Sequence, residues 1–154
     1  MGFSSEFLIR FSHCDPAGIV YFANFFDMIN AVVEDWFAGA LGTPFHDLHL
    51  EHRRGFSVVN TQCEFSHPCQ LGDRLVLGLV VERLGTSSLT LSIRGRVGAE
   101  EKLRARHTVA MISLDSYRAV PIPDELRAAM APYLQKRPPR ASGRFPGAGA
   151  GGCP

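Results

Sequence analysis

The sequence predicts an α+β domain in which one antiparallel sheet wraps around a single long helix. Apolar residues recur every three or four positions between residues 20 and 41, which is typical of a helix. After residue 55, apolar and polar residues alternate through four consecutive segments, which is typical of strands. The gaps between these strands are short, so the strands are expected to pair in antiparallel fashion. One helix and one sheet must then bury each other's apolar faces.

The elements follow from local patterns in chain order. Alternating apolar residues predict a first strand over residues 6–12, and Pro16 and Gly18 predict a turn after it. The helix that follows has a very wide apolar stripe, which favours burial on most of its sides, and Gly42 and Pro44 end it. The remaining elements are an irregular polar stretch, four strands and a short closing helix, over residues 43–55, 56–65, 74–84, 87–97, 102–114 and 123–134.

Length and charge favour one domain with a basic tail. The chain has 154 residues, which fits one domain at residues 1–135. The net charge is +1, but the last 19 residues hold four basic and no acidic residues, so the first 135 carry −3. A mildly acidic body argues against a nucleic-acid partner. Half of residues 137–154 are Gly or Pro, which predicts that residues 136–154 form a disordered tail.

The cysteines and the apolar runs indicate the cellular compartment of the protein. The four cysteines are scattered, and no two form a C-x-x-C pair, so we expect neither a disulfide framework nor a zinc site. No uninterrupted apolar run reaches the roughly 18 residues that a membrane span needs. The chain is therefore expected to be cytoplasmic and to have no membrane span.

Asp15 is the first candidate for chemistry. It stands between the end of a strand and the beginning of the most apolar helix, where aspartate is common as a turn or capping residue. The same position also suits catalysis, because a helix N-terminus offers free N–H donors and a partial positive charge. Such donors can hold an oxyanion, and a nearby carboxylate can act as a nucleophile or as a base for water.

Residues 11–26 resemble the signature of the 4-hydroxybenzoyl-CoA thioesterase family, which has the hotdog fold. The shared pattern is D-x-x-G, two hydrophobic residues, an aromatic residue, three arbitrary residues and a second aromatic residue; here it runs from Asp15 to Phe25. The order of strand, helix and four strands matches the hotdog layout over about residues 5–134. Phe65, Pro68 and the turn around Gly72 also resemble the family's segment before its third strand.

The resemblance implies a role for each matching residue. Asp15 would be the catalytic carboxylate, the backbone N–H of Phe22 would donate to the thioester oxygen, and Gly18 would allow close approach of the substrate. Tyr21 would line the acyl pocket. His13 is a further substrate-site candidate from its position next to Asp15, where an imidazole could support the carboxylate. In the family's prototype a basic cluster before the fourth strand holds the CoA phosphates; the residues in that region here are Arg83, Thr86 and Ser87.

The resemblance also implies a homodimer or a homotetramer, since active sites of this fold lie between protomers. We expect an acyl-CoA thioesterase acting on an aromatic or a short-to-medium-chain acyl-CoA, without a metal or a cofactor other than the CoA of the substrate. A protein that binds acyl-CoA or acyl-carrier protein without hydrolysis is the alternative, and a hydratase on the same fold is a weaker one. His46, His49 and His52 share no helix face and favour a solvated loop over a metal site.

Overall fold

The computed structural model describes residues 2–135. The strands form one antiparallel sheet in the order β1-β3-β4-β5-β2. This arrangement confirms the α+β prediction, while the predicted tail at residues 136–154 lies outside the described residues. The elements are β1 (Phe3–Leu8), α1 (Ala23–Gly39), β2 (Arg54–Phe65), β3 (Arg74–Leu84), β4 (Ser88–Val97), β5 (Glu100–Ser113) and α2 (Asp124–Met130).

The core lies between α1 and the concave face of the sheet. Alternate residues of β3 and β4 are fully buried on that face, among them Leu77 and Leu91. Burying each such side chain contributes about 1.5–3 kcal/mol. The buried face of α1 consists of Phe25, Met28, Ile29, Val32, Val33, Trp36 and Phe37.

The opposite face of α1 is exposed, which corrects the prediction of a helix enclosed on most sides. Asp27, Asn30 and Glu34 recur along this face and are all exposed. The apolar stripe of α1 is wide because Met28, at its flank, also faces the core and is only 3% exposed. Within residues 2–135, no helix is long and apolar enough to cross a membrane.

The first strand begins and ends earlier than the sequence predicts. The chain leaves the sheet after Ile9 and makes a helical turn at Phe11–His13. The Arg10 N–H donates to His13 Nδ1 at 2.9 Å, which holds this turn. The prediction placed Phe11 on the apolar face of a strand, but its side chain is 84% exposed.

The polar stretch before β2 contains a helical turn that the sequence did not predict. One turn runs over Asp47–Glu51, and the Leu48 N–H donates to the Pro44 carbonyl at 3.0 Å. Leu48 is 3% exposed and anchors the turn to the core. The stretch has only Phe45, Leu48 and Leu50 as large apolar residues, too few to establish a helical period, so no pattern revealed the turn.

Gly95 marks a position of close packing between the sheet and its buried side chains. It lies on the concave face of β4 opposite Leu103. A Cβ at this position would be 2.8 Å from Leu103 Cγ and 3.0 Å from Leu77 Cδ2. Both neighbours are fully buried, so neither can move without disturbing the core.

Gly95→Ala is expected to lower the free energy of unfolding by about 1–3 kcal/mol, because the added methyl group overpacks the core. Urea unfolding followed by circular dichroism measures the change. Gly78→Ala is the matched control, since a Cβ there meets only the Arg94 carbonyl at an ordinary 3.8 Å. Equal unfolding midpoints for the two variants would contradict the packing argument.

Candidate active site

The loop between β1 and α1 is tied to the turn before β3 by main-chain hydrogen bonds. The Ile9 N–H donates to the Asp73 carbonyl at 2.8 Å, and the Gly72 N–H donates back to Ile9 at 2.9 Å. Further along, the Val20 N–H donates to the Cys69 carbonyl at 2.9 Å. The loop is therefore held at both of its ends, and its middle part bears the predicted site residues.

Asp15 occupies a tight turn within this loop. The Asp15 N–H donates to the Ile19 carbonyl at 2.9 Å, and the Gly18 N–H donates to the Asp15 carbonyl at 3.0 Å. The Ala17 N–H donates to Asp15 Oδ1 at 2.8 Å, which leaves Oδ2 without a donor among residues 2–135. The residue is half-buried, and its carboxylate has one oxygen held by a backbone donor while the other is available.

Gly18 has a φ of +77°, a conformation that favours glycine. A Cβ at this position would meet no atom within 4 Å. The backbone conformation is therefore what requires glycine within one protomer. Close approach of a substrate to Gly18 stays a prediction.

The beginning of α1 presents an unused N–H donor. The His13 carbonyl accepts the Tyr21 N–H at 3.0 Å and the Asn24 side-chain amide at 2.7 Å. The next residue, Phe22, has helical backbone angles, and its N–H has no acceptor among the described residues. An unpaired N–H at the first turn of a helix lies at the positive end of the helix dipole.

Asn24 is a site residue that sequence reasoning missed. In the sequence it only interrupts an apolar run. Its amide joins the first turn of α1 to the helical turn at Phe11–His13, and this contact becomes visible only once the two segments meet. No local pattern could have revealed it.

Two cavities lie against the loop. The first has a volume of about 480 Å³ and is lined by Phe11, Cys14, Asp15, Pro16, Gly18 and Leu71. The second, of about 290 Å³, is lined by Ile19, Val20, Phe22, Phe25, Phe65, Ser66, His67 and Pro68. Most of these side chains are apolar or aromatic, so the space around the loop suits an apolar group.

The wall of the second cavity is anchored by Lys102, which no pattern in the sequence marks as a site residue. Its side chain is 10% exposed, and its ammonium group donates to the Pro68 carbonyl at 3.0 Å and pairs with Glu100. The hydrogen bond to Glu100 raises the pKa of Lys102, so the lysine stays charged. The Ser66 N–H donates to the Lys102 carbonyl at 2.9 Å, which fixes the start of the segment.

The predicted site residues divide into two groups in one protomer. Those of the loop lie together, whereas Arg83, Thr86 and Ser87 lie at the far end of β3. Arg83 lies nine positions after Arg74, the first residue of β3. At about 3.3 Å per residue, Arg83 is roughly 30 Å from the end of β3 that adjoins the loop. The loop group consists of His13, Asp15, Gly18, Tyr21 and Phe22.

The histidine-rich stretch forms no metal centre in the described part of the chain. His46 Nδ1 lies 3.1 Å from Asp47 Oδ1, and His49 packs on a phenylalanine ring at 5.1 Å. Within residues 2–135, no group of three or more His, Cys, Asp or Glu side chains could hold a metal ion. Arg53, at the end of the same stretch, pairs with Asp115 at 3.1 Å.

The five-stranded antiparallel sheet around α1, with the Asp15 turn leading into that helix, defines a hotdog-fold domain. The chain belongs to the thioesterase-like superfamily, whose family model matches residues 9–130. The narrower assignment to the 4-hydroxybenzoyl-CoA thioesterase family stays a prediction.

Three known proteins illustrate the similarity. A 1,4-dihydroxy-2-naphthoyl-CoA hydrolase from Thermosynechococcus vestitus is 30% identical over 137 residues, which cover 88% of this chain and 90% of the relative. The structure of a 1,4-dihydroxy-2-naphthoyl-CoA thioesterase from Synechocystis matches with a TM-score of 0.78 at 21% identity, over 85% of this chain and 96% of the other. A gentisyl-coenzyme A thioesterase structure has a TM-score of 0.76 at 21% identity, over 82% and 98%.

Proposed function

We propose that this protein is an acyl-CoA thioesterase that hydrolyses an aromatic acyl-CoA to the free acid and CoA. The observation that carries the proposal is that one loop presents both a backbone N–H without an acceptor, at Phe22, and a carboxylate with one free oxygen, at Asp15. The names of the similar proteins, which are hydrolases or thioesterases of aromatic CoA esters, support it. Short-to-medium aliphatic acyl-CoAs are the second substrate class.

The Phe22 N–H is suited to hold the thioester oxygen. When a nucleophile adds to the thioester carbon, negative charge develops on the carbonyl oxygen. A fixed N–H donor at a helix N-terminus stabilises that charge without reorganising. The donor is fixed because the His13 carbonyl holds the neighbouring Tyr21 N–H and the Asn24 side chain.

Asp15 can supply the carboxylate by either of two routes. As a nucleophile, its free oxygen bonds to the thioester carbon, the C–S bond breaks, and water then cleaves the resulting anhydride. As a base, it takes a proton from water while the water oxygen bonds to the same carbon, and the CoA thiolate leaves. In both routes the Ala17 N–H holds the other carboxylate oxygen.

The acyl group would lie against the aromatic side chains near the start of α1. Tyr21 and Phe22 are about half exposed, and their rings lie 5.1 Å apart. Phe65 packs against Phe25 at 5.4 Å, and both rings line the second cavity together with Phe22. Offset aromatic contacts favour an aryl over an aliphatic acyl group. His13 would adjoin the substrate through Nε2, since its Nδ1 accepts the Arg10 N–H.

The proposed reaction consumes only water and releases the CoA thiol, so it requires no metal and no separate cofactor. We place the protein in the cytoplasm. The cysteines Cys14, Cys63 and Cys69 are free thiols, which suits a reducing compartment.

Asp15→Asn is expected to lower kcat for the best acyl-CoA by ~10²–10⁴, the usual scale for losing an acid–base group. Release of the CoA thiol, followed with a thiol reagent across aromatic and aliphatic acyl-CoAs, measures it. Near-wild-type turnover by this variant would refute the assigned role. Tight binding of acyl-CoA by the wild type without thiol release would instead favour the non-hydrolytic alternative.

Phe22→Pro is expected to lower kcat by ~10²–10³ relative to Phe22→Ala. Proline deletes the N–H, and the φ of −54° at this position accommodates its ring. Phe22→Ala is the matched control, because it removes the same aromatic ring but keeps the N–H. Both variants are expected to keep the helix, which circular dichroism checks. Equal kcat values would show that this N–H holds no oxyanion.

The open edge of the sheet at β2 supports assembly into a homodimer, and two such dimers could form a homotetramer. β2 pairs with β5 on one side, and among residues 2–135 no strand pairs with its other side. Val58 and Val59 on this strand are 52% and 65% exposed, beside a bulge between Val58 and Asn60. An open, apolar strand edge favours pairing with another chain. A partner would also bring its own Arg83, Thr86 and Ser87 to the assembly.

Val59→Lys is expected to weaken the dimer at least tenfold, because a charge on an edge strand opposes pairing. Light scattering over a dilution series measures the dissociation constant. Val76→Lys is the matched control, since Val76 is a partly exposed valine of β3 on the convex face. A wild-type protein that is monomeric at micromolar concentration and fully active would contradict the proposed assembly.

A further inference from the structure

Residues 66–70, here called the wall segment, connect the end of β2 to the turn before β3. Ser66, His67 and Pro68 of this segment line the second cavity, and Phe22 lines the same cavity. The wall segment belongs to none of the five strands, so no regular ladder of hydrogen bonds holds its peptide groups. Its position depends on a few individual contacts.

On one side, the wall segment holds the chain that enters α1. The Cys69 carbonyl accepts the Val20 N–H at 2.9 Å, and Cys69 is fully buried. Just after the segment, the Leu71 N–H donates to the Gly18 carbonyl at 3.3 Å. Val20 precedes Phe22 by two residues, so the wall segment helps to set the direction in which the chain reaches the unused N–H donor.

On the other side, the wall segment is fastened to the beginning of β5 by three contacts. Two of them use main-chain oxygens of β5. The Ser66 N–H donates to the Lys102 carbonyl at 2.9 Å, and His67 Nδ1 lies 3.1 Å from the Glu101 carbonyl oxygen. The third uses a side chain, because the Lys102 ammonium donates to the Pro68 carbonyl at 3.0 Å. Among residues 2–135, no other group donates to that carbonyl.

The ammonium acts on the peptide group next to the one that holds the chain entering α1. The Pro68 carbonyl and the Cys69 N–H belong to one planar peptide, and the next peptide carries the Cys69 carbonyl. The two planes share a Cα atom, so rotation of the first displaces the second. The Gln70 N–H donates to Asp73 Oδ2 at 2.8 Å, which fixes the far end of the segment, while the ammonium fixes the near end.

The burial of Lys102 points to a role beyond stability. Its side chain is only 10% exposed, and burying an ammonium group is unfavourable unless it is hydrogen-bonded. The Glu100 side chain beside it is 52% exposed, and an ion pair of this kind adds little net stability. An apolar side chain of the same length would fill the space without desolvating a charge. What it could not supply is the hydrogen bond to Pro68.

We propose that Lys102 is a positioning residue for thioester hydrolysis, which holds the Phe22 N–H on the thioester oxygen through the Pro68 carbonyl and the wall segment. The inference rests on the proposed function. A donor stabilises the developing oxyanion best when it is in place beforehand and need not reorganise. A displacement of about 1 Å can lower the rate by as much as ~10²-fold although every reacting group is still present.

Lys102→Met tests this role, since methionine has a similar length but no donor. The main-chain contacts of β5 with the wall segment remain, and the half-exposed Glu100 stays in contact with solvent, so the fold is expected to persist. We expect kcat for the best thioester to fall about tenfold, while KM changes by less than about twofold, because the oxyanion exists only in the transition state. Thiol release over a range of substrate concentrations measures both constants.

Two control variants separate the contact with Pro68 from the loss of a charge. Glu100→Gln removes the carboxylate of the ion pair but leaves the ammonium on the Pro68 carbonyl. Arg106→Met removes another ion-paired cation of β5, which contacts Glu82 at 3.1 Å and no residue of the wall segment. Both variants are expected to keep kcat within about twofold of the wild type.

A double-mutant cycle identifies the group through which Lys102 acts. Lys102→Met is expected to lower kcat about tenfold in the Phe22→Ala background, which keeps the N–H, and to have no further effect in the Phe22→Pro background, which lacks it. A purely structural role would lower kcat by the same factor in both backgrounds. That result, or an effect of Lys102→Met on KM alone, would overturn the inference.

Absence of thiol release by the wild type from every thioester would refute the proposed function instead. The positioning is then measured without turnover, from the Phe22 amide signal in the NMR spectrum of protein isotopically labelled at its phenylalanine nitrogens. Phe22→Ala identifies this signal by its loss. Lys102→Met is expected to shift the signal, and Arg106→Met to leave it in place. A signal that Lys102→Met does not move would overturn the positioning role.

Discussion

The His13 carbonyl oxygen is the contact on which the site depends. It accepts the Tyr21 N–H and the Asn24 amide together, so it joins the turn after β1 to the first turn of α1. The chain can then enter the helix with the Phe22 N–H unused. Without this acceptor, Tyr21 would also need a partner, and the direction of the first helical turn would no longer be fixed. One half-buried residue's carbonyl thus sets both the orientation of α1 and the donor at its end.

The architecture was predictable because it depends on periodicity. The alternation in the strands and the stripe of α1 each reflect a row of side chains facing one core, and such rows are visible in a sequence. Element ends were less predictable. The first strand stops before Phe11 because Ile9 pairs with the turn before β3, a contact between residues more than 60 positions apart. No local pattern encodes such a contact.

The candidate site was predictable only where it is local. The turn from Asp15 to Gly18 is contained in a few residues, and a resemblance in that stretch was enough to select them. Lys102 was missed because it acts through a partner distant in the chain, the Pro68 carbonyl. A lysine within an alternating strand has no distinguishing pattern of its own. Only the packing of strands turns it into a buried anchor.

The loop that bears Asp15 is held mainly through peptide groups, and this has a consequence for how the protein can change. Main-chain hydrogen bonds connect Ile9, Asp15 and Val20 to their partners whatever side chains those residues carry. In the loop, His13, Asp15 and Gly18 are constrained by their side chain or its absence, as is Asn24 at the start of α1. The others can be exchanged while the peptide framework persists. The loop is therefore a favourable place to alter substrate preference by mutation or by laboratory evolution, because the chemistry is anchored separately from the surface that contacts the substrate.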